Sequence, residues 1–118
     1  MKTVNDSEGS RKIQHQELAN GRWEKLSFVE QMANIGSEVD RAIIWKNKNN
    51  LDYSRLAFDR ALELLDLSIA ATKIFSRLKE LLRVREALAD FFVFDNEYKS
   101  TDKDWQDYFL AFNYAARV

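Results

Sequence analysis

From Ser27 to Ala71 the chain alternates apolar and polar positions with a period of three to four residues. Phe28, Met32, Ile35, Val39 and Ala42 follow one another at steps of four, three, four and three, which places them on one face of a helix. Ile43, Ile44 and Trp45 widen that stripe at its far end. A second stripe runs through Leu51, Ser54, Phe58, Ala61, Leu65 and Ile69, widened by Leu62, with Arg55, Asp59, Glu63 and Asp66 on the opposite face. Asn47-Lys48-Asn49-Asn50 separates the two. Asparagine tolerates the left-handed cap and the turn after it, and so short a connection predicts an antiparallel helical hairpin. Ser27 and Glu30 have the spacing of a capping box, in which each side chain serves the other's backbone amide. Gly36 costs about 1 kcal/mol against alanine inside a helix, so another backbone is expected to pass close to it.

Beyond Ile69 neither glycine nor proline marks a boundary. A single helix from Tyr53 to Phe94 would be roughly 60 Å long and would outgrow its neighbours. A break is therefore predicted between Ser68 and Ser76, with Thr72 or Ser76 as the new cap. The third helix would turn Ile74, Leu78, Leu81, Leu88 and Phe92 inward, helped by Val84 and Phe91, and leave Lys79, Arg83, Glu86 and Asp90 in water. After the polar connector Asp95 to Lys99, Thr101 with Asp104 would cap a fourth helix. Its core stripe is Trp105, Phe109, Phe112 and Ala116, with Tyr108 and Tyr114 beside it. The expected fold is all-α: an up-and-down four-helix bundle over residues 23–118, preceded by a flexible tail over 1–22. Ile13, Leu18 and Trp23 would form a short docking segment, with Trp23 and Leu26 over one end of the bundle.

Composition narrows the picture. No proline and only three glycines in 118 residues favour long uninterrupted helices. Eighteen basic and nineteen acidic residues leave a net charge of -1, which gives no bulk field to attract nucleic acid or an anionic membrane. Lacking cysteine, the chain has no disulfides, thiol catalysis or cysteine-based zinc site. Met1 to Glu8 lacks the apolar core of a signal peptide, and no apolar run is long enough to cross a bilayer. The expected location is cytoplasmic.

Candidate chemistry is sparse. The single histidine, His15, lies in the tail, so the folded part has neither a histidine metal pair nor a nucleophile triad. Glu63 and Asp66 lie on adjacent turns of one helix, and Glu86 with Asp90 is the nearest second pair. Four such carboxylates suggest a magnesium site of the kind found in all-α nucleotide pyrophosphatases, although the second spacing departs from that pattern and a solvated helix face is the plainer expectation. Asn34, Glu38 and Arg41 form a polar stripe beside the first core stripe, able to meet Arg85 or Asn113 in a buried network or pocket, or else to make ordinary surface pairs. Arg85 interrupts the apolar face between Leu81 and Leu88, and a buried guanidinium needs a carboxylate, for which Glu38 is the nominee. Lys73, Arg77, Lys79, Arg83 and Arg85 scatter around their helix among acids, a poor pattern for RNA. Trp105, Tyr108, Phe109, Phe112 and Tyr114 exceed what one core stripe uses. They fit either a filled core edged by tyrosines or a subunit interface.

Two resemblances add to this. Asn49 to Leu64 resembles the second helix of a tetratricopeptide repeat, with Phe58 and Ala61 at its aromatic and small positions, but no second copy follows at the repeat period. The succession of helical segments resembles small helical-bundle proteins of the HEPN-like kind. That resemblance implies dimerisation and pairing with minimal nucleotidyltransferases. Ribonuclease members carry an arginine ahead of a histidine; the residue five before His15 is Ser10, so the resemblance implies binding without that activity. The expectation is a non-catalytic interaction or scaffold protein that needs no cofactor and dimerises through its last helix. The alternative is a magnesium-dependent enzyme acting on nucleotides.

Overall fold

The computed structural model describes residues 21–117. Most of the expected tail, including Ile13, His15 and Leu18, lies outside them. Among the described residues there are four α-helices: α1 (Phe28–Asn47), α2 (Leu51–Ala71), α3 (Phe75–Phe92) and α4 (Asp102–Ala116). A one-turn 3₁₀ helix, Trp23–Lys25, precedes them. The architecture is the expected all-α up-and-down bundle.

The contacts between helices give the direction of each. Trp45 meets the Tyr53 ring edge-on and Ser54 Oγ donates to the Ala42 carbonyl at 2.8 Å, so α1 and α2 are antiparallel. Phe58 against Phe92 and Asp66 against Arg85 set α3 antiparallel to α2. Phe28 against Phe112 and Lys46 against Asp102 do the same for α4 and α1.

Local chemistry fixes the helix ends. Ser27 and Glu30 form the expected capping box at the start of α1, and Thr101 with Asp104 forms another at α4. Asn49 takes a left-handed φ of 61°, and Asn50 caps α2 by accepting from the Tyr53 amide at 3.0 Å. The break after α2 falls at residues 72–74, inside the predicted window, but neither expected cap is used as one. Ile74 is the N-cap of α3 and makes no side-chain cap, while the Thr72 hydroxyl accepts from the Ile74 amide at 3.3 Å.

The core collects Met32, Ile35, Val39, Ala42 and Ile43 from α1, Phe58, Ala61 and Leu65 from α2, Leu81, Val84 and Leu88 from α3, and Trp105 and Phe109 from α4. Three expected core residues face outward instead. Ile44 lies one position past the buried arc, and Leu51 and Ile74 sit at helix starts where no neighbour covers them. On α2 the buried arc is wider than its stripe, taking in Ala57, Leu64 and Ser68, because α2 packs on α1 on one side and on α3 on the other. Trp23 is fully buried and donates its Nε1–H to Ser68 Oγ at 2.8 Å, which pins the 3₁₀ turn to α2. The close neighbour of Gly36 is the Phe109 side chain rather than a backbone: a Cβ at Gly36 would lie 2.6 Å from Phe109 Cβ.

Candidate interaction face and cleft

The four carboxylates nominated for a metal are spent separately. Asp66 pairs with Arg85 at 2.7 Å. Glu86 accepts from the Tyr98 hydroxyl at 2.9 Å, and that bond raises the phenol pKa. Asp90, expected in water, is buried and accepts the Glu97 and Tyr98 amides at 2.8 and 3.0 Å, closing the loop after α3. Glu63 is half-buried on α2. Among the described residues no three histidine, aspartate or glutamate side chains are grouped to hold a metal ion.

The polar stripe of α1 does not converge into one pocket. Asn34 donates to its own helix, to the Glu30 carbonyl at 2.9 Å. Glu38 takes Arg41 at 2.9 Å and Arg60 of α2 at 3.4 Å. Arg85 is half-exposed, not buried, and its partner is Asp66 rather than Glu38; the hydrogen bond to Asp66 raises its pKa further. Arg85 and Asp66 face each other because the α2–α3 register that sets Phe58 against Phe92 also sets them opposite. Arg60 escaped the sequence reading because its partner lies on another helix. Asn113 is elsewhere, on the rim of a groove between α1 and α4.

The aromatic surplus of α4 is largely used inside the monomer. Trp105 and Phe109 are buried and stack with centroids 6.0 Å apart. Phe112 packs edge-on against Phe28, and Tyr108 meets Trp105, Phe109 and Phe112. Tyr108 also donates its hydroxyl to Glu80 of α3, and burial together with that bond holds the phenol well above its ordinary pKa. Of the five interface candidates only Tyr114 stands out in water, at 73% exposed.

Two concave features flank α4, one on each side. The groove between α1 and α4 encloses about 300 Å³; Ala33, Gly36 and Ser37 line its α1 side, and Leu110 and Asn113 its α4 side. Leu110 is 61% exposed at its edge. The cleft between α3 and α4 is larger, at about 390 Å³, with Val84, Ala87 and Trp105 among its lining and Arg83, Tyr98 and Tyr108 around it. No helix among the described residues is long and apolar enough to cross a membrane. A scan of family profiles and searches of curated proteins and of solved structures found no match to this chain.

Proposed function

We propose that this is a non-catalytic, cytoplasmic interaction protein that works as a homodimer through the outer face of α4. One observation carries the reading. Gln106, Leu110, Asn113 and Tyr114 are exposed neighbours on one face of α4, where the charges among them, Lys103 and Asp107, pair with each other. Leu110 and Tyr114 are large apolar groups left in water there, beside a groove whose α1 wall has the small residues Ala33, Gly36 and Ser37 at one end and Val39, Asp40 and Ile43 at the other. Small side chains let a second helix seat closely. Gln106 and Tyr114 lie four residues either side of Leu110, so an antiparallel copy of α4 centred on Leu110 sets each amide against the partner's tyrosine. Such self-complementarity is what a two-fold interface requires. The HEPN-like resemblance implies dimerisation as well. Of the aromatic candidates only Tyr114 takes part in this contact, because Trp105, Tyr108, Phe109 and Phe112 are engaged within the monomer.

Fully burying a leucine contributes roughly 1.5–3 kcal/mol, and a symmetric contact buries two. Sedimentation equilibrium is expected to show a monomer–dimer equilibrium for the native chain and monomer for Leu110→Glu, with unchanged helical circular dichroism. A native chain that stays monomeric at the highest soluble concentration would sink the proposal.

A further inference from the structure

We propose that the cleft between α3 and α4 binds a small organic monoanion: a carboxylate carried on a flat apolar body. The cleft lies on the opposite side of α4 from the groove, and the inference stands independently of dimerisation. Its volume of about 390 Å³ falls within the range of small-molecule sites, roughly 300–1,000 Å³. Val84, Ala87 and Trp105 supply apolar wall, and Tyr98 and Tyr108 supply rings on which a flat body can pack.

The polar groups around the cleft select the charge. Glu80 accepts the Tyr108 hydroxyl, and Asp104 closes the capping box with Thr101. Both carboxylates are thus committed and repel anions. Arg83 is the exception. Its ordinary partner would be Glu80, one helical turn before it, but that carboxylate is turned to Tyr108. Among the described residues the Arg83 guanidinium has no hydrogen bond or ion pair, yet it lies close enough to act electrostatically on Tyr108. A guanidinium beside apolar wall receives a carboxylate through two parallel hydrogen bonds. Glu80 and Asp104 oppose any anion in proportion to its charge, so binding rests on direct contact with the guanidinium. The cost of desolvation rises with the square of the charge, and a phosphate dianion therefore binds more weakly than a carboxylate.

The test is titration of the full chain with indole-3-acetate, indole-3-acetamide, acetate and phenyl phosphate, followed by the backbone amide and Trp105 indole N–H resonances. Indole-3-acetate is expected to shift α3 and α4 resonances saturably, and the amide to bind roughly ten-fold or more weakly, the difference a charge-assisted pair makes. Acetate alone is expected not to bind, and phenyl phosphate to bind more weakly than the acid. Arg83→Gln, an exposed position that leaves the core intact, should bind acid and amide alike, and Ala87→Phe should block both by filling the cleft. Equal binding of acid and amide by the native chain, a preference that survives Arg83→Gln, tighter binding of phenyl phosphate, or the absence of saturable shifts around the cleft would each overturn the proposal.

Discussion

A methyl group at position 36 would sit 2.6 Å from the Phe109 Cβ, an atom fixed to the α4 backbone and unable to swing aside. Gly36→Ala should gain about 1 kcal/mol of helix propensity and lose about 1–3 kcal/mol to overpacking. With a backbone-anchored neighbour the loss sits at the upper end, so urea denaturation should find the variant less stable by about 1–2 kcal/mol; a more stable variant would mean that α1 and α4 separate freely. Ser68 carries a comparable burden, because Ser68→Ala removes the acceptor of the buried Trp23 indole. Leaving that donor unsatisfied should cost about 1–3 kcal/mol in the same assay. Both positions show what residue-level patterning delivers. Gly36 announced a tight contact through its own cost to the helix, but one sequence does not say which element supplies the neighbour. Ser68 gave no signal, since a serine one turn from the helix end looks like surface. Arg85 is legible as an oddity but not in its partner, because the α2–α3 register that brings Asp66 opposite it depends on which helices pack together.

Each helix start reflects how much its local sequence contributes. α1 and α4 open with complete capping boxes, both visible in the sequence because a cap is made within four residues. α3 opens on Ile74, with no side-chain cap and no acid in its first turn. Ile74→Asp should therefore stabilise the protein by about 1 kcal/mol by giving the first turn an acceptor and a favourable charge, read as a raised denaturant midpoint; an unchanged or lowered midpoint would show that the half-exposed Ile74 packs better than it caps. At α4 the relevant charge is Asp102. Burial alone would raise its pKa, but hydrogen bonds from Lys46 and Asn47 prevail and hold the carboxyl below its ordinary value. A carboxyl lowered on folding stabilises the fold above its unfolded titration point, and that contribution disappears as pH falls through the folded one. The native chain and Asp102→Asn should thus differ in denaturant midpoint near neutrality and converge at acid pH. A gap that persists unchanged into acid would assign the effect to packing. The loop between α3 and α4 was the least legible element. Asn96 and Lys99 adopt left-handed φ values of 52° and 56°, turning the Glu97 and Tyr98 amides toward Asp90, and no periodicity encodes that.

Across the whole molecule the four helices are not equally committed. α1 packs extensively on both α2 and α4, whereas α3 approaches α2 at fewer points and meets α4 through side chains around the cleft. Helix count and direction were readable because apolar period and connector length depend on the chain alone; this inequality was not, because it depends on which faces meet. Local opening free energy follows such contact density. Hydrogen exchange should therefore find α3 the first helix to lose protection, beginning at its uncapped start, while the middles of α1, α2 and α4 exchange last. The same measurement tests the proposed dimer. If α4 pairs with α4 through Leu110 and the adjoining groove, raising the protein concentration should slow exchange in α1 and α4 and leave α3 unchanged, since binding protects the elements it covers. Leu82, Val93 and Phe94 give α3 and its trailing loop an exposed apolar surface of their own, so concentration-dependent protection confined to α3 would move the interface there.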